Sequence, residues 1–230
     1  DGLGGRILAD ANGKGDIKAY ISNPNVNLAL NGDGKLDVRA VVGTEGTLTV
    51  IKDLGMKEPF TGQVSLVSGE LGEDFTYYMA NSEQIPSAIG LSVLVDTDDS
   101  IKAAGGFMIQ VMPDASDEAI TKLEQNIAAI PLVSRLMENG ETPEQILARI
   151  LGEENVEVLE KMPVRFHCDC SRERFAGGLS SIGKDELHEM IVEDHGAEVV
   201  CHFCGEKYHY SEADLQELVT AIDEKRAANI

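Results

Sequence analysis

The sequence predicts an α+β fold: a β-rich core, a helical linker and a small region that contains every cysteine. Residues 1–113 carry short alternating apolar and polar runs separated by Gly- and Asp-rich turns, a pattern typical of half-buried strands. Residues 114–160 carry apolar side chains at helical spacing. All four cysteines lie within residues 161–230. We therefore predict three parts with these bounds.

The first part is predicted to be mostly strand. Strands are expected at residues 6–9, 17–21, 38–42, 47–51, 61–67, 87–95 and 101–111. The turn sequences at 12–15 and 43–46 should join the first four of these into two hairpins. One helix at 71–82 is expected to interrupt the strands, because Leu71, Phe75 and Tyr78 recur at a spacing near 3.6 residues.

Three short helices are predicted after Pro113. They cover residues 117–130 and 132–137, and a segment that begins with the capping box at 142–145 and ends at Gly152. None exceeds the ~12–15 residues at which an isolated helix is still marginal in water. These helices therefore need a surface to lie on. An ordinary helical layer and a linker whose order depends on its neighbours both fit the residues.

Composition limits the possible partners. Hydrophobic residues make up 43% of the 230 residues and charged residues 26%, which is ordinary for a globular protein. The formal net charge of −21 argues against nucleic acid and anionic membrane surfaces as partners. No apolar run reaches the ~18 residues of a membrane span. No signal peptide is visible, the chain begins at Asp1 so that upstream sequence is expected, and clustered cysteines favour a reducing, cytoplasmic location.

The four cysteines form two tight pairs, Cys168-Asp169-Cys170 and Cys201-His202-Phe203-Cys204. Four thiolates can complete a tetrahedron around Zn²⁺ with Zn–S bonds of about 2.3 Å. The second pair has the usual spacing and is followed by Gly205, which can take a left-handed turn; the first pair is tighter than usual. We predict zinc binding by Cys168, Cys170, Cys201 and Cys204; free structural thiols or two plain disulfides are the alternatives.

The donor set favours a non-catalytic metal. A catalytic zinc needs an open position for water, whereas four sulfurs fill the coordination shell, so we do not expect an enzyme. A structural zinc module that mediates some contact is one interpretation. A redox switch is the other, because a domain of the size of residues 168–230 rarely obtains more than ~3–5 kcal/mol from its core, while a structural zinc contributes ~10–16 kcal/mol. Positive charge from Arg165, Arg172, Arg174 and His167 would favour thiolates near the first pair.

The cysteine pattern resembles that of a known family. Two pairs spaced C-x-C and C-x-x-C, about thirty residues apart near the C-terminus, resemble those of the redox-regulated heat-shock holdase chaperones of bacteria, the thirty-three-kilodalton heat-shock protein family. Supporting stretches are DANGKG at 10–15, YISNP at 20–24, YY at 77–78, SEQIPS at 82–87 and GGF at 105–107. The similarity covers essentially the whole chain, although family members carry a further N-terminal segment that this chain is expected to lack.

The resemblance implies a stress-response function. In such chaperones the reduced, zinc-bound form is inactive; oxidation forms disulfides Cys168–Cys170 and Cys201–Cys204, releases zinc, and unfolds the C-terminal domain and linker. The exposed surface then holds unfolding proteins without ATP, commonly as a homodimer. By this analogy the linker binds clients, through Leu123, Ile127, Leu136, Leu147 and Ile150. The alternative is a constitutive structural-zinc interaction module without redox switching.

Overall fold

The computed structural model describes residues 1–32 and 35–228, with residues 225–228 by backbone alone. The chain divides into two compact units: residues 1–7 with 21–161, and residues 8–20 with 162–230. The second unit thus combines the cysteine-containing region with a short segment from near the N-terminus, a grouping that the sequence does not anticipate.

Helices and strands are mixed along the chain. In order they are β1 (Ile7–Ala11), β2 (Asp16–Ile21), α1 (Val38–Val42), β3 (Thr47–Lys52), β4 (Phe60–Ser65), α2 (Leu71–Asn81), β5 (Ser87–Val95), β6 (Ile101–Gln110), α3 (Asp117–Ala129), α4 (Val133–Glu138), α5 (Pro143–Leu151), β7 (Arg165–Phe166), α6 (Arg172–Ile182), α7 (Lys184–Val192), β8 (Gly196–Val200), β9 (Lys207–Ser211) and α8 (Glu212–Ala228). A single 3-10 turn follows α5 at Glu153–Asn155. This mixture confirms the predicted α+β class.

Two antiparallel strand pairs form the sheets of the first unit. β3 pairs with β4 from Thr47 opposite Ser65 to Lys52 opposite Phe60. β5 pairs with β6, beginning with Ser87 opposite Gln110, with one irregularity in register at Leu94/Val95. α4 packs on both β5 and β6, and α2 packs on β5. The strands predicted at 61–67, 87–95 and 101–111 and the helix at 71–82 are confirmed within a few residues.

The strand predicted at 38–42 is wrong, because this segment is helix α1. The Asp37 side chain accepts a hydrogen bond from the Ala40 backbone N–H at 2.9 Å and so caps the first turn. Gly43, at φ +86°, ends the helix after five residues. Consequently β3 has no partner at 38–42 and pairs with β4 instead.

The three predicted linker helices are present and packed. Ser116 caps α3, and Thr142 and Gln145 form the predicted capping box at the start of α5. Their apolar faces meet in one cluster of buried side chains, Val133, Leu136, Ile146 and Ile150. Phe107 and Ile109 of β6 pack against this cluster. The sheet is thus the surface on which these short helices lie.

The second unit contains two small sheets and three helices. One sheet has the order β1-β2-β7, and the other is the antiparallel pair β8–β9. α6, α7 and α8 surround a core of five buried side chains: Leu179, Leu187, Tyr210, Leu215 and Val219. α6 was not predicted from the sequence. Among the described residues, no helix has both the length and the apolar character needed to cross a bilayer.

Candidate metal centre

All four cysteines meet in the second unit as free thiols. Their sulfur atoms lie within 4.8 Å of one another. The Sγ atoms of Cys168 and Cys201 are 3.6 Å apart, and those of Cys170 and Cys204 are 3.4 Å apart. Four sulfurs at 2.3 Å from one tetrahedral ion would be roughly 3.8 Å apart. The spacing therefore fits a single ion held by both cysteine pairs.

The C-x-C pair occupies the loop between β7 and α6. Ser171 follows directly and caps α6 by accepting a hydrogen bond from the Arg174 backbone N–H at 3.2 Å. The Tyr208 hydroxyl lies 3.2 Å from the Cys170 carbonyl oxygen and 3.3 Å from the Cys170 Sγ. The hydroxyl thus donates to a predicted ligand and fixes the loop.

The C-x-x-C pair forms the turn of the β8–β9 hairpin. Val200 pairs with Lys207 at the end of the ladder. Beyond it, the Cys201 N–H donates to the Glu206 carbonyl at 2.9 Å, and the Gly205 N–H donates to the Cys201 carbonyl at 2.8 Å. Gly205 has φ +76°, the left-handed conformation predicted from the sequence. The turn directs both sulfurs toward the first pair.

The protonation of Cys201 and Cys204 explains why a cation suits this site. Burial raises the pKa of Cys201, but hydrogen bonds from the backbone of Cys204 and Phe203 outweigh it and bring that pKa to about 7. A backbone hydrogen bond from Glu206 lowers the pKa of Cys204, yet its hydrogen bonds with neighbouring thiols raise it to about 12. The Cys201 thiolate therefore forms easily while Cys204 resists ionisation, and a divalent cation would relieve this repulsion.

The arginines near the first pair have carboxylate partners. Arg165 pairs with Asp16 at 2.7 Å, Arg172 pairs with Asp214 at 2.9 Å, and Arg174 pairs with Asp169. Each positive charge is thus largely compensated. The expectation that these arginines favour thiolates in the first pair is correspondingly weakened, and their visible role is to brace the loop and the helix ends.

Among the described residues, the candidate ligand set consists of cysteines alone. The sequence matches the profile of the Hsp33 protein family over residues 1–211. The chain belongs to the Hsp33 family. The 33 kDa chaperonin of Enterococcus faecalis is 64% identical over 218 residues, which cover 95% of this chain and 73% of that protein. That of Staphylococcus aureus is 57% identical over 224 residues, which cover 96% and 76% respectively.

A solved structure agrees with this family assignment. The crystal structure of the 33 kDa chaperonin (heat shock protein 33 homolog) from Thermotoga maritima superposes with a TM-score of 0.88 at 40% sequence identity. The match covers 97% of this chain and 76% of that one. The resemblance inferred from the cysteine pattern is therefore confirmed, and by family the chain is a chaperone.

The five predicted client-binding residues of this Hsp33 chain lie in the first unit and are buried or half-buried. Leu136 and Ile150 belong to the buried cluster, with 3% and 0% of their surface exposed. Leu123 and Ile127 pack against that cluster, and Leu147 is half-buried on α5. The structure thus brings four of them together in a packed core.

Tyr208 is a part of the candidate metal centre that the sequence did not indicate, because it lies outside both cysteine pairs. Tyr208→Phe should keep the ring packed on Phe175, 5.2 Å away between centroids, but remove the donor to Cys170. The reactive form of a thiol is the thiolate, which a donated hydrogen bond stabilises by about 1 kcal/mol, so loss of the donor should lower the alkylation rate of Cys170 about fivefold. Mass spectrometry of iodoacetamide-treated, reduced protein measures that rate.

The matched control is Tyr210→Phe, on the same strand. Its hydroxyl donates to the Arg172 carbonyl at 2.6 Å and not to a sulfur. This change should lower stability without a selective effect on Cys170. Equal alkylation rates in Tyr208→Phe and the wild type would show that the hydroxyl does not influence the thiol.

Proposed function

We propose that this protein is a redox-regulated, ATP-independent holdase chaperone that is inactive while reduced and metal-bound. The observation that carries the proposal is the meeting of all four cysteines within 4.8 Å, in a member of a chaperone family. Four thiolates are soft ligands at a spacing that suits tetrahedral Zn²⁺. The ion would supply charge compensation and a cross-link between the two cysteine loops.

Oxidation would remove the ligands. A thiolate attacks the O–O bond of a peroxide, giving a sulfenic acid and hydroxide. The second thiolate of the pair then displaces hydroxide and forms the disulfide, so two electrons per pair pass to the oxidant. We propose the pairs Cys168–Cys170 and Cys201–Cys204, by analogy with the family. Since each motif also contacts the other through sulfur, peptide mapping after oxidation is needed to test this pairing.

Loss of the metal would unfold the second unit. Its helical core has five buried apolar side chains, and such small cores rarely supply more than ~3–5 kcal/mol. A structural zinc contributes about 10–16 kcal/mol. The metal is therefore expected to be the larger stabilising contribution, and the unit should not survive without it.

Client binding would follow when helices α3–α5 leave the sheet. Their packed face holds Leu123, Ile127, Leu136 and Ile150, which would become accessible apolar surface together with the half-buried Leu147. Such surface binds unfolded proteins through the hydrophobic effect and needs no ATP. We propose that the active form is a homodimer in the cytoplasm, with unfolded proteins as its partners.

One assay tests the proposal. Aggregation of a chemically denatured test protein is followed with and without prior treatment with hydrogen peroxide, while released zinc is measured with a chromophoric chelator. Suppression of aggregation should appear only after oxidation, together with zinc release. A constitutive structural-zinc module predicts the same client binding before and after peroxide, and that result would overturn the switch.

A further inference from the structure

A segment from near the N-terminus of the sequence also contacts the candidate metal centre. Residues 8–20 belong to the same compact unit as residues 162–230. They contain most of β1 and β2, which are neighbours in one sheet and are joined by the turn at 12–15. These two strands are called the N-terminal hairpin below. It lies about 150 residues upstream of the first cysteine pair.

The backbone of the hairpin holds the segment that leads into Cys168. β2 and β7 are parallel, with Asp16 opposite Arg165 and Ile17 opposite Phe166. The Arg165 N–H donates to the Gly15 carbonyl at 2.9 Å, and the His167 N–H donates to the Ile17 carbonyl at 3.1 Å. The residue immediately before the first ligand is therefore fixed by β2.

Lys18 connects the hairpin to both cysteine pairs. Its ammonium lies 2.6 Å from the carboxylate of Asp169, the residue between Cys168 and Cys170. The same ammonium is 5.2 Å from the ring centroid of Phe203, inside the C-x-x-C pair. Asp10, on β1, adds a second carboxylate at 3.2 Å. The Lys18 side chain is only 12% exposed, so these contacts are less screened than those of a surface pair.

Tyr20 holds the second pair through its ring. It stacks on His202 with centroids 5.5 Å apart and planes inclined by 26°, and it meets Phe203 edge-on at 5.5 Å. His202 and Phe203 are the two residues between Cys201 and Cys204. Together, Lys18 and Tyr20 contact every residue that separates two cysteines within a pair.

We propose that the N-terminal hairpin is a part of the metal centre, in which Lys18 and Tyr20 are positioning residues that hold the two cysteine loops against each other. They do not touch the metal; they keep the loops that carry its ligands in register. The hairpin should in turn lose its partners when the metal leaves. This inference rests on the proposed metal site but not on redox switching.

The experiment measures metal release from the reduced, zinc-loaded full chain into a chromophoric chelator, without oxidant. Lys18→Met and Tyr20→Leu should each release zinc about 10-fold to 100-fold faster than the wild type, the range seen when groups supporting metal ligands are removed. Lys18→Arg keeps the charge and should restore most of the slow rate. Lys14→Met, in the exposed turn of the same hairpin, and Tyr77→Leu, on α2, are the matched controls and should release zinc at the wild-type rate.

A double-mutant cycle separates direct contact from general loosening. If Lys18 acts through Asp169, Lys18→Met should have little further effect in an Asp169→Asn background. Wild-type release rates in both Lys18→Met and Tyr20→Leu, or additive effects of Lys18→Met and Asp169→Asn, would overturn the proposal. A chain that binds no zinc at all would instead refute the metal site itself.

If the variants fail to fold, hydrogen exchange of the wild-type protein tests whether the N-terminal hairpin is part of the metal centre. Chelation under reducing conditions should lower amide protection in residues 15–20, because β7 and the cysteine loops then no longer hold β2. Unchanged protection of these amides after chelation would show that the hairpin is independent of the metal centre.

Discussion

Cys201→Ser is expected to abolish zinc binding and to unfold the second unit while strands β3–β6 of the first unit stay folded. Cys201 is the most deeply buried of the four thiols, with 4% of its surface exposed, and its backbone closes the β8–β9 turn. Removing one ligand forfeits most of the ~10–16 kcal/mol that a structural zinc provides, against a core worth ~3–5 kcal/mol. Zinc content of the purified protein and amide exchange across residues 162–224 measure the two effects.

Two controls define this result. Val200→Ser introduces the same residue one position earlier, at a partly exposed site, and should retain zinc. Wild-type protein stripped of zinc by a chelator under reducing conditions should reproduce the exchange pattern of Cys201→Ser. If Cys201→Ser kept stoichiometric zinc and a protected second unit, Cys201 would not be an essential ligand.

Ile150→Ala is expected to destabilise the packed linker helices by about 2–5 kcal/mol, because Ile150 is fully buried in their cluster. The change should also weaken the hydrogen bond that the Asn126 side-chain amide donates to the Ile150 carbonyl at 2.7 Å. The reduced, zinc-bound protein should then expose apolar surface and suppress aggregation without oxidant. Binding of a hydrophobic dye and the aggregation assay, both in reducing buffer, measure this gain.

Ile101→Ala is the matched control, since the same atoms are removed from a side chain that is 66% exposed. It should change stability by less than about 0.5 kcal/mol and leave the reduced protein inactive. If Ile150→Ala destabilised the helices and yet bound no client, the buried face of α3–α5 would not be the client-binding surface.

The two predictions act on different units and separate two steps. Cys201→Ser removes the metal, whereas Ile150→Ala leaves all four ligands in place and loosens the helices directly. If both variants are active without oxidant, loosening of the linker helices is sufficient for client binding. If only Cys201→Ser is active, the surface that binds clients lies elsewhere, for example in the unfolded second unit.

Local sequence signals predicted the features that depend on neighbours along the chain. The capping box at Thr142 and Gln145 formed as expected, because its hydrogen bonds join residues three apart. The candidate ligands were identifiable because a C-x-C and a C-x-x-C pair have few other uses in so small a region. Gly205 took its left-handed conformation for the same local reason.

Local signals failed where two tendencies competed. Residues 38–42 read as a strand because they are rich in valine, but the side chain of Asp37 offers the backbone a helix cap that strand propensity does not register. α6 was missed because Gly177 and Gly178 lie inside it, and glycine is unfavourable in helices. Its burial of Leu179 in the core of the second unit outweighs that cost.

The sequence by itself determined the four cysteines of the candidate metal centre, the short capped helices and the family. Only the tertiary structure decided that residues 8–20 fold with the cysteine-containing region, and that Lys18 and Tyr20 meet the residues between its ligands. The reason is physical: a helix cap or a C-x-x-C turn is formed by hydrogen bonds between residues a few positions apart. In contrast, β2 and Lys18 find their partners by packing against residues about 150 positions away in the chain. No local sequence pattern predicts such a pairing.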